Sequence, residues 1–454
     1  MSFWKRVIGW TFVFATIPAL AGAQGRQQTS SANPPDLLRR SAYLGAALAP
    51  PTGSAAGAQV VRVVDGTAAQ QAGLKVGDRV LSINGKLLDN GPDFYRTYNA
   101  LRGGDKARFE ILRDGQVFTR DITLPERPKE RHEGLDTEYG SVLTDRGHRV
   151  RTIVTKPQGA TGKLPALLLV NWLSCESAEW PLGANSGHSK LIHGVAKESG
   201  FVMMRVDRPG VGDSAGPACA DTDFEMELAG WRAALKALKK HPAVDPDRVF
   251  LFGVSNGGGV APLVTQTDPA EKVAGYVVTG GWMKTWLEHM LEHERRRLRL
   301  TGSTPAEINE RMRGYGELYT LYLERKMTPA EVIRERPHLA PLWYDAPEHQ
   351  YGRPAAFYHQ LQGLNLAAAW DKVDVPVLVI YGEYDWIMSR EDHVMIAELV
   401  NKNHPGKARY VEVPKMDHLF HLNESQQKSF DDYNSGTFDA SLIPLITGWL
   451  QQHR

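Results

Sequence analysis

The sequence predicts an α/β protein whose mainly parallel sheet is covered on both faces and preceded by a smaller β-rich unit. Two patterns point there. Continuous apolar runs recur at residues 165–172 (PALLLVNW), 201–206 (FVMMRV), 249–254 (VFLFGV), 273–278 (VAGYVV) and 375–381 (VPVLVIY), with stretches of helical length around 188–199 and 223–240. Uninterrupted apolar strands alternating with helices belong to parallel sheets buried on both sides. Residues 43–48, 59–64, 78–85, 107–112 and 117–124 are instead short apolar strands spaced by turn residues, with a helix at 93–101 and a tight Arg113-Asp114-Gly115 hairpin, as in antiparallel structure. A chain of 454 residues, 42% hydrophobic and 23% charged, has room for two or three domains, each with its own core.

The N-terminus carries Lys5 and Arg6, then about 14 apolar residues broken by Pro18, then Ala21-Gly22-Ala23. This is the layout of a secretory signal peptide over residues 1–23, too short for a membrane span. The protein is therefore expected in the periplasm or secreted, with no membrane span after cleavage. Residues 24–37 read as a polar, proline-ended linker, and in an oxidising compartment the two cysteines, Cys175 and Cys219, are a disulfide candidate. With 53 basic and 52 acidic residues, no charge excess steers the chain to nucleic acid.

The block DGTAAQQAGLKVGDRVLSINGK (residues 65–86), together with Tyr43-Leu44-Gly45-Ala46, closely resembles a PDZ domain of the bacterial periplasmic kind. The resemblance covers residues 38–125 and implies a site for a peptide or protein C-terminus. An extended peptide would add as a strand, with Leu44, Gly45 and Ala46 at the loop that receives its carboxylate. Residues 126–137 are charged, contain proline and read as a linker. The α/β unit follows over 138–454, starting with a hairpin that turns at Asp145-Arg146-Gly147.

Residues 283–365 interrupt the alternation with charged helical segments for which Thr304 and Thr328 are candidate starts. A helical cap is expected there, with Trp282, Trp286, Tyr351 and Phe357 as candidate pocket aromatics. Arg295-Arg296-Arg297 and the pair His289 and His293 read as a solvated, charged helix face. HMLEH lacks the adjacent Glu of a H-E-x-x-H metal site, and neither metal nor cofactor is expected.

Chemistry concentrates at GVSNGGG, residues 253–259, directly behind an apolar strand and ahead of a small-residue segment able to start a helix. G-x-S-x-G in that context places a serine on a tight strand-to-helix turn. A serine hydroxyl needs a base, and the base an acid to hold its tautomer. Asp385 follows the strand VPVLVIY and His418 follows RYVEVP, so both fall in loops at the same end of a parallel sheet as Ser255. Asp392 and Asp417 are alternative acids, and His421 and His393 alternative bases.

The order Ser, Asp, His resembles the α/β-hydrolase superfamily over about residues 141–449. The resemblance implies Ser255 as nucleophile, Asp385 as orienting acid and His418 as general base, with the amides of Asn256 and Leu173 as oxyanion donors and Trp172 as a substitute for the latter. It also makes the strands before Cys175 and Cys219 neighbours, so a bridge could pin the loops beside the nucleophile. DRPGVGDSAG (207–216) reads as tight loop geometry near the site. The expected activity is hydrolysis of a carboxylic ester or amide through an acyl-enzyme. A PDZ-assisted peptidase and a non-catalytic binding protein are the alternatives.

Overall fold

The computed structural model describes residues 38–51, 56–180, 184–266, 268–433 and 435–454. The expected signal peptide and the linker 24–37 lie outside the described residues. The first unit is an antiparallel sheet in the order Ala46–Ala49, Ala58–Val63, Arg79–Ile83, Lys106–Arg113 and Gln116–Thr123. Its apolar face, including Leu44, Val60, Val80, Phe109 and Ile111, forms a core with Phe94 of the helix Gly91–Tyr98. Asn90 starts that helix, its side chain accepting from the Asp93 amide at 2.9 Å, so the element begins two residues before the expected 93.

The second unit holds an eight-stranded sheet in the order Ala408–Val413, Val377–Gly382, Gly275–Thr279, Val244–Val254, Leu164–Val170, Val202–Val206, Arg149–Pro157 and Leu135–Leu143. The first six run parallel, and the expected hairpin supplies two antiparallel strands at the far edge. Alternation inside one strand shows why both faces are apolar: Leu168 and Val170 join the core on one side, Leu167 and Leu169 the core on the other. The helices Gly187–Ser199, capped by Ser186, and Phe224–Lys239, capped by Asp223, match the expected segments.

The cap is helical, as expected, and lies between Gly275–Thr279 and Val377–Gly382. Thr304 and Thr328 do start helices, each in a reciprocal pair with a glutamate three residues on. On the helix Trp286–Leu300 the solvated reading holds for the exposed Arg295 and is overturned for the others, Arg296 being half-buried. His289, His293 and Arg297 are all buried. Arg297 donates to Glu294 at 2.7 Å and to the Tyr315 hydroxyl at 2.8 Å, and Arg296 donates to the carbonyls of Trp386 and Ile387. The charges are neutralised within and beside the helix, which is what makes their burial tolerable.

The two units are joined by a buried ionic cluster. Arg40 donates to Asp213 at 2.5 Å and to Glu179 at 2.7 Å, and Arg151 reaches Asp213 at 3.0 Å. Arg96 pairs with Asp221 at 2.6 Å. Residues 126–137 are tied down between the units: Arg127 bonds back to the Ser41 carbonyl, and the buried Glu130 pairs with Arg205.

Candidate active site

Ser255 sits between the strand Val244–Val254 and the helix Asn256–Thr265, with φ 56° and ψ −123°. That backbone is unfavourable for a residue with a side chain. It is held by Ser255 N–H donating to the Thr279 carbonyl and by the Gly258 N–H donating to the Ser255 carbonyl, both at 2.8 Å. The flanking glycines have steric reasons. A Cβ at Gly257 would lie 1.9 Å from the Val170 carbonyl oxygen, and one at Gly253 would lie 2.6 Å from that of Gly257. Strand and helix can approach only because both are absent.

The loop after Ala408–Val413 brings His418 Nε2 to 3.0 Å from Ser255 Oγ. The loop after Val377–Gly382 brings Asp385 Oδ2 to 2.7 Å from His418 Nδ1. The other oxygen of Asp385 accepts the amides of Ile387 and Met388 at 2.8 and 2.9 Å, so its carboxylate is locked in place. Burial alone would push the His418 pKa down, but the charge and hydrogen bond of Asp385 outweigh it and the pKa is raised from 6.5. Burial pushes Asp385 up, and its contacts with His418 and Met388 bring it net below the usual value. The pair thus favours a charged imidazolium beside a carboxylate, the state formed when the serine proton is taken.

The alternative residues are engaged elsewhere. Asp392 accepts from the Met283 and Lys284 amides and the Ser389 hydroxyl, and His393 bonds the Ser389 carbonyl and accepts from the Gly281 amide. Asp417 accepts the amides of Leu419 and His421. His421 borders the same cavity as Ser255, and it is His418 that meets the hydroxyl.

Asn256 is the first residue of its helix, where amides have no intrahelical acceptor, and its side chain accepts from Trp282 Nε1 at 3.1 Å. Leu173 lines the cavity in the loop behind Leu164–Val170. Arg208 braces that loop: it donates to the carbonyls of Trp172 and Glu176 and to Glu227 at 2.7 Å. A planar trans peptide puts the Leu173 N–H on the side opposite the Trp172 oxygen that Arg208 holds. Cys175 and Cys219 are bridged, with Cα atoms 5.7 Å apart, which ties this loop to the segment Cys219–Asp221.

The cavity above the serine measures about 350 Å³. Trp286 and Tyr351 line it as expected, whereas Trp282 and Phe357 are core residues. His289 and His293 also border it. Burial pushes His289 down to about 4 and His293 well below its ordinary value, so both face the site uncharged near neutrality. Of the PDZ residues, Gly45 and Ala46 border this cavity, while the Leu44 side chain is in the core. One grouping of ligand-type atoms was missed because its members are far apart in sequence: Glu130, His132 and His193 lie within 4.8 Å of one another. The Glu130 carboxylate there already accepts from Arg205 and from the Trp180 amide.

The profile of the family described as serine aminopeptidase, S33, matches residues 186–426, a little over half of the chain. The chain belongs to the S33 hydrolase family. A PDZ domain profile matches residues 41–124 of this S33 hydrolase. Esterase EstD of Thermotoga maritima is 20% identical over 298 residues, covering 65% of this chain and 64% of EstD, so the match spans less than two thirds of that relative. A probable periplasmic serine endoprotease, DegP-like, of Pseudomonas putida is 37% identical over 87 residues, 19% of this chain and 18% of the relative. Among solved structures, the S33 hydrolase is similar to Est1E of Butyrivibrio proteoclasticus with bound ferulic acid, at TM-score 0.45 and 17% identity over 69% of this chain and 96% of that one.

Proposed function

We propose that the protein is an exported serine hydrolase that cleaves a carboxylic ester through an acyl-enzyme. The observation carrying this reading is the hydrogen-bonded chain from Ser255 Oγ through His418 to Asp385. His418 takes the serine proton as the hydroxyl attacks the carbonyl, and returns it to the leaving oxygen as the tetrahedral intermediate collapses. Water then repeats the sequence to release the acid. The amides of Asn256 and Leu173 hold the oxyanion, with Asp385 keeping the imidazole in its working tautomer. An ester is favoured over an amide by the likeness to EstD, which extends over 65% of the chain. Export is supported by the sequence of residues 1–23 and by the disulfide.

The second reading, a peptidase, draws on the family's description and on the PDZ unit, which resembles that of a DegP-like endoprotease. Both readings use the same serine. A fluorophosphonate probe should label wild type and leave Ser255→Ala unlabelled. Equal labelling of the two, or of neither, would refute the nucleophile. Screening acyl esters against aminoacyl and peptidyl amides, with Ser255→Ala as the blank, separates the readings by which class turns over.

A further inference from the structure

The cavity that holds Ser255 and His418 has a second wall made by the PDZ unit, including Gly45, Ala46, Tyr95 and Tyr98. Ala46 begins the strand Ala46–Ala49, the edge of its sheet, which pairs with Ala58–Val63 on one side. Tyr95 and Tyr98 come from the helix Gly91–Tyr98. An edge strand beside a helix offers backbone N–H and C=O groups to an extended chain and side-chain contacts to its residues. Here that groove opens into the space above the serine.

The two halves of the cavity are held in register. Arg96, on the groove helix, pairs with Asp221, in the segment that the Cys175–Cys219 bridge ties to the Leu173 loop. Arg40, a few residues ahead of Gly45, is buried on Asp213 and Glu179. At about 350 Å³, the cavity is at the small end of the range for single-ligand sites. A peptide in the groove and an unrelated substrate at the serine would compete for it.

We propose that the PDZ groove is a subsite of the catalytic centre: the molecule cleaved at Ser255 carries a short extended peptide segment that lies along Ala46–Ala49 and against Tyr95 and Tyr98. This rests on Ser255 being the nucleophile. The docked peptide and the substrate are then one molecule, and the groove selects which acyl compounds reach the serine. A PDZ unit acting only as a tether for a separate protein would leave small-ester turnover indifferent to groove ligands.

The test uses the full chain and a pool of hexapeptides with free carboxyl ends and randomised last three residues. Hydrolysis of p-nitrophenyl acetate, abolished in Ser255→Ala, establishes the nucleophile independently. The pool should then inhibit that hydrolysis competitively and slow fluorophosphonate labelling of Ser255. Tyr95→Ala should lower the ratio of kcat/KM for acetyl-trialanine p-nitrophenyl ester over that for p-nitrophenyl acetate by roughly tenfold, the usual scale for truncating a buried aromatic contact. Asn99→Trp, which adds bulk at a cavity-lining position, should act in the same direction should Tyr95→Ala fail to fold. Binding of the fluorescein-labelled pool to Ser255→Ala without any inhibition of the wild type would overturn the proposal. So would the absence of binding with acetate hydrolysis intact.

Discussion

Arg208 is the residue whose replacement most directly separates loop geometry from triad chemistry. It contacts neither Ser255 nor His418; it holds the carbonyl of Trp172 and so sets the direction of the Leu173 amide. Replacement by Lys keeps a cation beside Glu227, which also retains Arg353. The stability cost should therefore fall well short of the ~3–5 kcal/mol for stranding one member of a buried pair. A lysine has one donor head in place of a planar fork and cannot brace Glu227 and the Trp172 carbonyl together. Complete loss of an oxyanion donor costs about 10²–10³ in kcat, so a misdirected one should cost roughly 10–100-fold. The assay is kcat and KM on p-nitrophenyl acetate at a temperature where the variant is folded by circular dichroism. We expect kcat to fall with KM nearly unchanged, because the donor acts on charge that develops only in the transition state. A folded Arg208→Lys with kcat within about twofold of wild type would refute the role of the Leu173 amide.

Asp385→Asn should cut kcat by about 10⁴, the scale seen when a triad imidazole loses its acid, without preventing folding. The pH profile follows from His418, which must be neutral to take a proton. Its pKa is raised from 6.5, so kcat/KM should fall as pH drops through a midpoint above that value. In Asp385→Asn, where only the charge of Asp417 still opposes burial, the residual activity should persist to lower pH; an acid limb that stays in place would contradict the assignment. Gly257→Ala, whose Cβ would meet the Val170 oxygen at 1.9 Å, should cost at least about 3 kcal/mol by thermal or urea unfolding. Gly316→Ala has nothing within 4 Å of the added carbon and lies in the helix Pro305–Tyr319, so it should stabilise by about 0.5–1 kcal/mol. Cys175→Ser with Cys219→Ser opens a link across 44 positions, and should lower stability by about 4 kcal/mol on the chain-entropy estimate.

The meeting of Ser255, His418 and Asp385, which we propose as the triad, was legible because each member carries a local signal: a glycine-flanked serine behind a strand, then an acid and a histidine each behind a later strand. Parallel topology converts those three local signals into one place. The burial of His289, His293 and Arg297 on the cap helix Trp286–Leu300 was hidden for the opposite reason. Its polar composition reads as a solvated face when the partners are unseen. Glu294 is in the same helix and Tyr315 on the next, and together they let Arg297 go inside. With the arginine paired, His289 and His293 can face the cavity uncharged. Sequence periodicity finds apolar stripes and has no means of telling a buried, satisfied charge from a solvated one, even when one partner, as Glu294 here, is three residues away.

The same limit hid the junction between the units. Arg40 and Asp213 are 173 positions apart, and DRPGVGDSAG read as loop geometry alone. In the fold, that loop holds Arg208, which braces the Leu173 loop, and, five residues on, Asp213, which receives Arg40 and Arg151. A buried ionic cluster of this kind is a poor source of stability, because apolar replacements often do as well. It is directional, however: one guanidinium from the PDZ unit meets Asp213 and Glu179 together. One loop therefore carries both the brace on the proposed oxyanion donor and the anchor of the PDZ unit, so a disturbed junction has a short route to that donor: five residues of chain and the hydrogen bond from Arg208 to the Trp172 carbonyl.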